Sequence, residues 1–122
     1  MLQSISKHRF DALAGYSRTP QIVLLVQEFD WLATPDERVL GVLTWDRTDQ
    51  DFGWVAMARD ERLRYRCVDV RASLPSAEQA RDSCVVALER LALEPPESFF
   101  QGEAGDAVDF FVARALDARL HP

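Results

Sequence analysis

Histidine, cysteine and long apolar runs are all in short supply in this chain. The two histidines, His8 and His121, lie near opposite termini with no cysteine or carboxylate at ligand spacing, so solvent exposure is the expected state of both. The two cysteines, Cys67 and Cys84, fall in a predicted strand and a predicted helix without metal-like spacing. They read as small buried hydrophobes and not as a disulfide or ligand pair. The longest apolar runs, Ile22 to Val26 among them, are five residues, far too short to span a bilayer. Met1-Leu2-Gln3 leads into a mixed polar sequence with no signal-peptide core, which makes the cytoplasm the expected compartment. With only five glycines among 122 residues and no biased tract, the composition argues against global disorder and suits one domain. Basic charge is outweighed as well: 14 Lys and Arg face 20 Asp and Glu, a net −6. That counts against a general nucleic-acid binder, which needs a basic footprint to displace counterions from phosphates.

Catalytic signatures are also lacking. No serine sits in a Gly-x-Ser-x-Gly elbow, and neither cysteine has a histidine nearby in the predicted fold. Gly102-Glu103-Ala104-Gly105 matches neither nucleotide fingerprint, so no cofactor is implied. Asp51-Phe52-Gly53 copies the kinase metal tripeptide, but the chain is too short for a kinase and has none of the accompanying motifs.

What is present organises itself around Arg38 to Val70. Three stretches rich in β-formers, separated by the polar turns Asp46–Asp51 and Asp60-Glu61, predict a three-stranded antiparallel meander over about 38–70. Pairing Trp45 with Phe52 places Val39, Gly41, Leu43, Trp45, Phe52, Trp54, Ala56 and Ala58 on one face, and Leu40, Val42, Thr44, Val55, Met57 and Arg59 on the other. The simplest second hairpin sets Ala58 opposite Leu63, Ala56 opposite Tyr65 and Trp54 opposite Cys67. The aromatic face is then core.

Helical patterns flank the sheet. Ser6 as cap, Ile5 and Phe10 as a hydrophobic staple and Gly15 as stop predict a helix over 6–14. Thr19-Pro20 and the recurrence of Ile22, Leu25, Val26, Phe29 and Leu32 predict a second over 20–33, with a strand from Gln21 to Gln27 as its rival. Ser76 with Gln79 forms a capping box for a helix over 76–93, whose stripe Ala77, Ala80, Cys84, Leu88 and Leu91 is small enough to approach the aromatic face closely; Pro95-Pro96 ends it. Asp106 opens a last helix over 106–120. The expected class is therefore α+β, a single domain over 1–122. The end at His121-Pro122, one residue past a predicted helix, fits an N-terminal domain of a longer protein.

Two surfaces carry functional expectations. Arg59, Arg64 and Arg66, with Met57 among them and Arg47 and Arg62 at the margins, would share the face away from the aromatic core and meet a carboxylate, a phosphate or an acidic protein. Asp46, Asp49 and Asp51 gather in the first turn. As metal ligands they lack the calcium-loop pattern, since Trp54 stands where glycine is needed, and as turn residues they bond nearby amides.

The stretch from Arg38 to Leu91 resembles the central hairpin and helix of acetyltransferases that use coenzyme A. The junction Arg71-Ala72-Ser73-Leu74-Pro75-Ser76 has no glycine for a pyrophosphate loop, so their activity is not carried over. The order helix, three strands, helix also resembles a double-stranded RNA-binding domain, but Ala77-Glu78-Gln79-Ala80 replaces the lysine-rich helix start of that family. The expectation is a non-enzymatic interaction or regulatory module with a protein partner. The alternatives are a small-molecule-binding or degenerate acyltransferase-like domain, with Trp45, Trp54 and Tyr65 lining a pocket, and an acidic immunity-type protein that neutralises a basic partner.

Overall fold

The computed structural model describes residues 2–14 and 27–94. Among these, five strands form one antiparallel sheet in chain order: β1 (Gln3–Ser4), β2 (Gln27–Ala33), β3 (Val39–Asp46), β4 (Asp51–Arg59) and β5 (Tyr65–Leu74). Helix α1 (Lys7–Ala14) lies between β1 and β2 in sequence, and α2 (Ala77–Leu93) follows β5. The architecture is α+β, and the expected three-stranded meander forms β3 to β5 of this larger sheet. The helix expected over 106–120 and the stretch 15–26 lie outside the described residues.

Both helix starts follow from their caps. Ser6 Oγ accepts a hydrogen bond from the Arg9 amide at 3.0 Å, and Ile5 and Phe10 join one apolar cluster. Ser76 stands in extended conformation and its hydroxyl accepts from the Gln79 amide at 3.1 Å.

Residues 27–33 correct the sequence reading: they form strand β2 where a helix was expected. The apolar spacing there is distorted by a bulge at Phe29, between the pairs Glu28 with Thr44 and Asp30 with Leu43. One extra residue shifts the alternation and imitates helical periodicity; pairing along β3 decides the outcome.

Both faces of the sheet are covered, which explains why Val39 to Thr44 is buried throughout. On one face Leu32, Val39, Leu43, Trp54, Ala56 and Ala58 pack against Ala80, Cys84, Leu88 and Leu91 of α2. The absence of a side chain at Gly41 permits this approach, because a Cβ there would lie 2.8 Å from Leu88 Cδ1 and 2.9 Å from Cys84 Sγ. Trp54 Nε1 donates to Ser83 Oγ at 2.9 Å, and Arg38 donates to the Ala92 carbonyl at 2.8 Å near the end of α2. The other face, expected to be a mixed arginine and aliphatic surface, is a second core. There Leu40, Val42, Val55, Met57, Tyr65 and Cys67 cluster with Phe10 and Ala14 of α1.

The first hairpin pairs Trp45 with Phe52 and Asp46 with Asp51, as strict alternation requires. The second does not follow expectation. Tyr65 stands opposite Arg59, Arg66 opposite Ala58 and Cys67 opposite Met57, a slide of three residues. An odd slide exchanges faces, so Tyr65 and Cys67 lie on the α1 side and Arg66 on the α2 side.

Candidate functional site

The slide comes from the turn that joins β4 to β5. The Asp60 amide donates to the Arg64 carbonyl at 2.8 Å, and the Leu63 amide donates to the Asp60 carbonyl at 3.0 Å. Glu61, Arg62 and Leu63 therefore make a three-residue loop whose last position is left-handed, with Leu63 at φ 62. Glycine usually fills that position, because a side chain in this conformation costs about 1–2 kcal/mol. The Asp60 carboxylate braces the loop by accepting from the amides of Arg62 at 2.8 Å and Arg64 at 3.0 Å. Three other non-glycine residues, Glu37, Gln50 and Ser73, adopt positive φ among the described residues, and all are polar. Leu63 is apolar and 71 % exposed, between the exposed Arg62 and Arg64. A strained backbone thus displays a leucine between two guanidinium-bearing side chains.

The structure divides the expected arginine face. Arg64 belongs to the loop. Arg59 lies opposite Tyr65 beside a polar cluster in which Arg9 grips the Glu37 carboxylate through two bonds of 2.6 and 2.8 Å. Their mutual bonding lowers the Glu37 pKa, and Arg59 lowers it further. The Tyr65 hydroxyl donates to the Glu37 carbonyl at 2.5 Å, and burial raises its pKa. Arg66, half-buried, faces the α2 side beside Ala58. Met57 is 4 % exposed in the α1-side core. The shared surface of Arg59, Arg64, Arg66 and Met57 does not form.

At the opposite end of β4 the acidic residues do come together. Asp46 and Asp51 are paired across the hairpin, and Asp46 accepts from the Thr48 amide at 2.8 Å and the Asp49 amide at 3.3 Å, the turn role aspartate favours. Burial raises the Asp51 pKa, the Asp46 and Asp49 charges raise it further, and a bond with Ser73 opposes them. Among the described residues no group of three His, Cys, Asp or Glu is arranged to hold a metal ion.

Beside these carboxylates lies an aromatic cluster that joins Trp45 and Phe52, expected on the core face of the sheet, to Phe29, expected in a helix. The bulge in β2 turns Phe29 toward Phe52, edge to face with ring centroids 5.9 Å apart, and Trp45 stacks on Phe52 at 6.5 Å. The Arg47 guanidinium sits 5.7 Å from the Trp45 ring centre while donating to Gln27 Oε1 at 2.7 and 3.0 Å. Phe29 is 37 % exposed, and Trp45 and Phe52 are half-buried. A long-range pairing builds this cluster, so no local motif announces it.

Cys67 and Cys84 are free and buried on opposite sides of the sheet, and burial pushes both thiols up to about 12. Neither is poised as a nucleophile. Trp54 and Tyr65 also lie on opposite faces, so they do not line a common pocket with Trp45. No helix among the described residues is long and apolar enough to cross a membrane. Comparison of the chain with protein-family models, with curated proteins and with solved structures returned no match.

Proposed function

We propose that this chain is a non-enzymatic interaction module and that Arg62, Leu63 and Arg64 form its docking element. The supporting observation is Leu63, an exposed leucine held at a left-handed backbone position. Exposure and backbone strain both oppose leucine there, and strain of this kind gathers where a residue is kept for contact. An exposed apolar anchor flanked by guanidinium groups suits an apolar pocket rimmed by carboxylates. Arg64 keeps the partner-binding role expected of it; Arg59 and Met57 are taken up by the fold.

A photo-cross-linking residue placed at position 63 in cells that make the protein, with a second at the exposed position of Val86 as control, tests the reading. Discrete adducts are expected from position 63 alone, and they should disappear when Arg62 and Arg64 are both changed to glutamate. Equal adduct patterns from the two positions would overturn it.

A second reading, the acidic immunity-type protein, draws support from the crowding of Asp46, Asp49 and Asp51 in one turn. It predicts that a basic partner binds at that end and leaves position 63 unprotected.

A further inference from the structure

The docking tip and the aromatic end stand at opposite ends of β4, nine residues or about 30 Å apart. One end offers an exposed leucine between two arginines, and the other offers half-exposed aromatic rings beside three aspartates. In charge each supplies what the other lacks, and both expose apolar side chains. Because of the distance, the tip of a chain cannot reach its own aromatic end.

We propose that a second copy of this chain is the occupant: the Arg62-Leu63-Arg64 tip of one copy seats on the Phe29, Trp45 and Phe52 surface of the next. This inference rests on the reading of the tip as a docking element and names its partner. Three observations argue for it. Leu63 and Phe29 are both exposed large apolar residues, so contact between them removes two apolar surfaces from water together. Arg47 lies over Trp45, which shows that a guanidinium is a compatible neighbour for this aromatic surface. Burial and mutual repulsion disfavour charge at Asp51, and arriving arginines would relieve the crowding with Asp46 and Asp49. A contact of this kind joins unlike surfaces, so it either propagates head to tail into a ring or row of copies or, where two copies lie antiparallel, is made twice in a closed pair.

Sedimentation of the full chain over a range of concentrations tests the proposal. The weight-average mass is expected to rise with concentration and to fall when salt is raised from about 50 to about 500 mM, because exposed charge pairs are screened. Leu63→Asp and Phe29→Asp should each remain monomeric, with folding checked by circular dichroism; Asp49→Arg replaces Phe29→Asp if that variant unfolds. A one-to-one mixture of the tip variant and the aromatic-end variant should give a dimer that neither forms alone, since each retains the half the other has lost. A monomeric wild type, a Leu63→Asp variant that associates like wild type, or a mixture that stays monomeric would each overturn self-docking. If the wild type is monomeric while position 63 still cross-links to another protein, self-docking falls and the interaction-module reading stands. If position 63 also cross-links no differently from position 86, both fall.

Discussion

The two hairpins of this sheet share β4 and differ in how they reach their register. In the first, alternation runs without interruption from Val39 to Asp46 and from Asp51 to Arg59, and the pairing of Trp45 with Phe52 follows directly. In the second, β5 accommodates two extra residues, one at Val68 and one where Gly53 faces Ala72 and Ser73, and the whole strand is displaced by its loop. The bulges twist β5, the outermost strand of the described sheet on that side, which is a common way to make an edge a poor template for further strands. The same strand β4 therefore has one neighbour set by pattern and another set by particular residues.

The sharpest way to break that contrast is at Gly53. A Cβ there would lie 2.4 Å from the Arg71 carbonyl oxygen and 3.1 Å from the Ala72 Cα, and backbone cannot swing aside as a side chain can. Gly53→Ala is expected to cost about 3 kcal/mol, at the upper end of overpacking effects, measured as a lower urea midpoint. Gly41→Ala should cost less, because its close neighbours are the side-chain ends of Leu88 and Cys84. If Gly53→Ala were the milder change, β5 would not pass so near β4.

Tyr65→Phe probes the slide itself. In the observed register the Tyr65 hydroxyl reaches across to the Glu37 carbonyl and ties β5 to the turn between β2 and β3. Removing it leaves that carbonyl without this donor and should destabilise the fold by about 1–2 kcal/mol. In the register expected from alternation, with Tyr65 beneath α2, the substitution would be nearly neutral.

How much of this was legible in the sequence depends on where local signals and long-range pairing agree. The caps at Ser6 and Ser76, the stripe of α2 from Ala80 to Leu91 and the first hairpin rest on short spacings, and the structure repeats them; Ala77, expected in the stripe, is only half-buried. Strand β2 was misread because the bulge at Phe29 imitates a helical period. The second hairpin was misread because a three-residue loop usually declares itself by glycine in its left-handed position, and here that residue is Leu63. The sequence contains no asparagine, the other residue that marks such positions. The feature that hides the register is thus the one on which the proposed docking element rests, a break of a local rule of the kind that gathers at functional sites. The aromatic end stayed hidden for a different reason: Phe29 meets Phe52 only after β2 has joined the sheet.

Leu63→Gly separates these roles. Glycine removes the left-handed penalty of about 1–2 kcal/mol and returns about 0.4–1 kcal/mol through greater freedom of the unfolded chain, a net gain of roughly 0.5–1 kcal/mol. The variant should therefore be more stable than wild type while losing self-association and the adducts formed at position 63. A variant that lost stability would show that Leu63 contributes packing, and the argument from strain would fail.

The smallest expected effect lies at the other hairpin's turn, in Asp51→Asn. Burial first, then the charges of Asp46 and Asp49, hold the folded-state pKa of Asp51 above its unfolded value, against the opposing bond with Ser73. A carboxyl raised in this way contributes stability that is fully present below the unfolded value of about 4 and is lost as pH rises through the folded one. Asparagine carries no charge to lose. At a concentration low enough to keep the chain monomeric, the variant should melt slightly above wild type at pH 7, and the difference should vanish or reverse near pH 3. A gain of equal size at both values would place its origin in hydrogen bonding at the turn, and the crowding that makes this end receptive to arginine would lose its support.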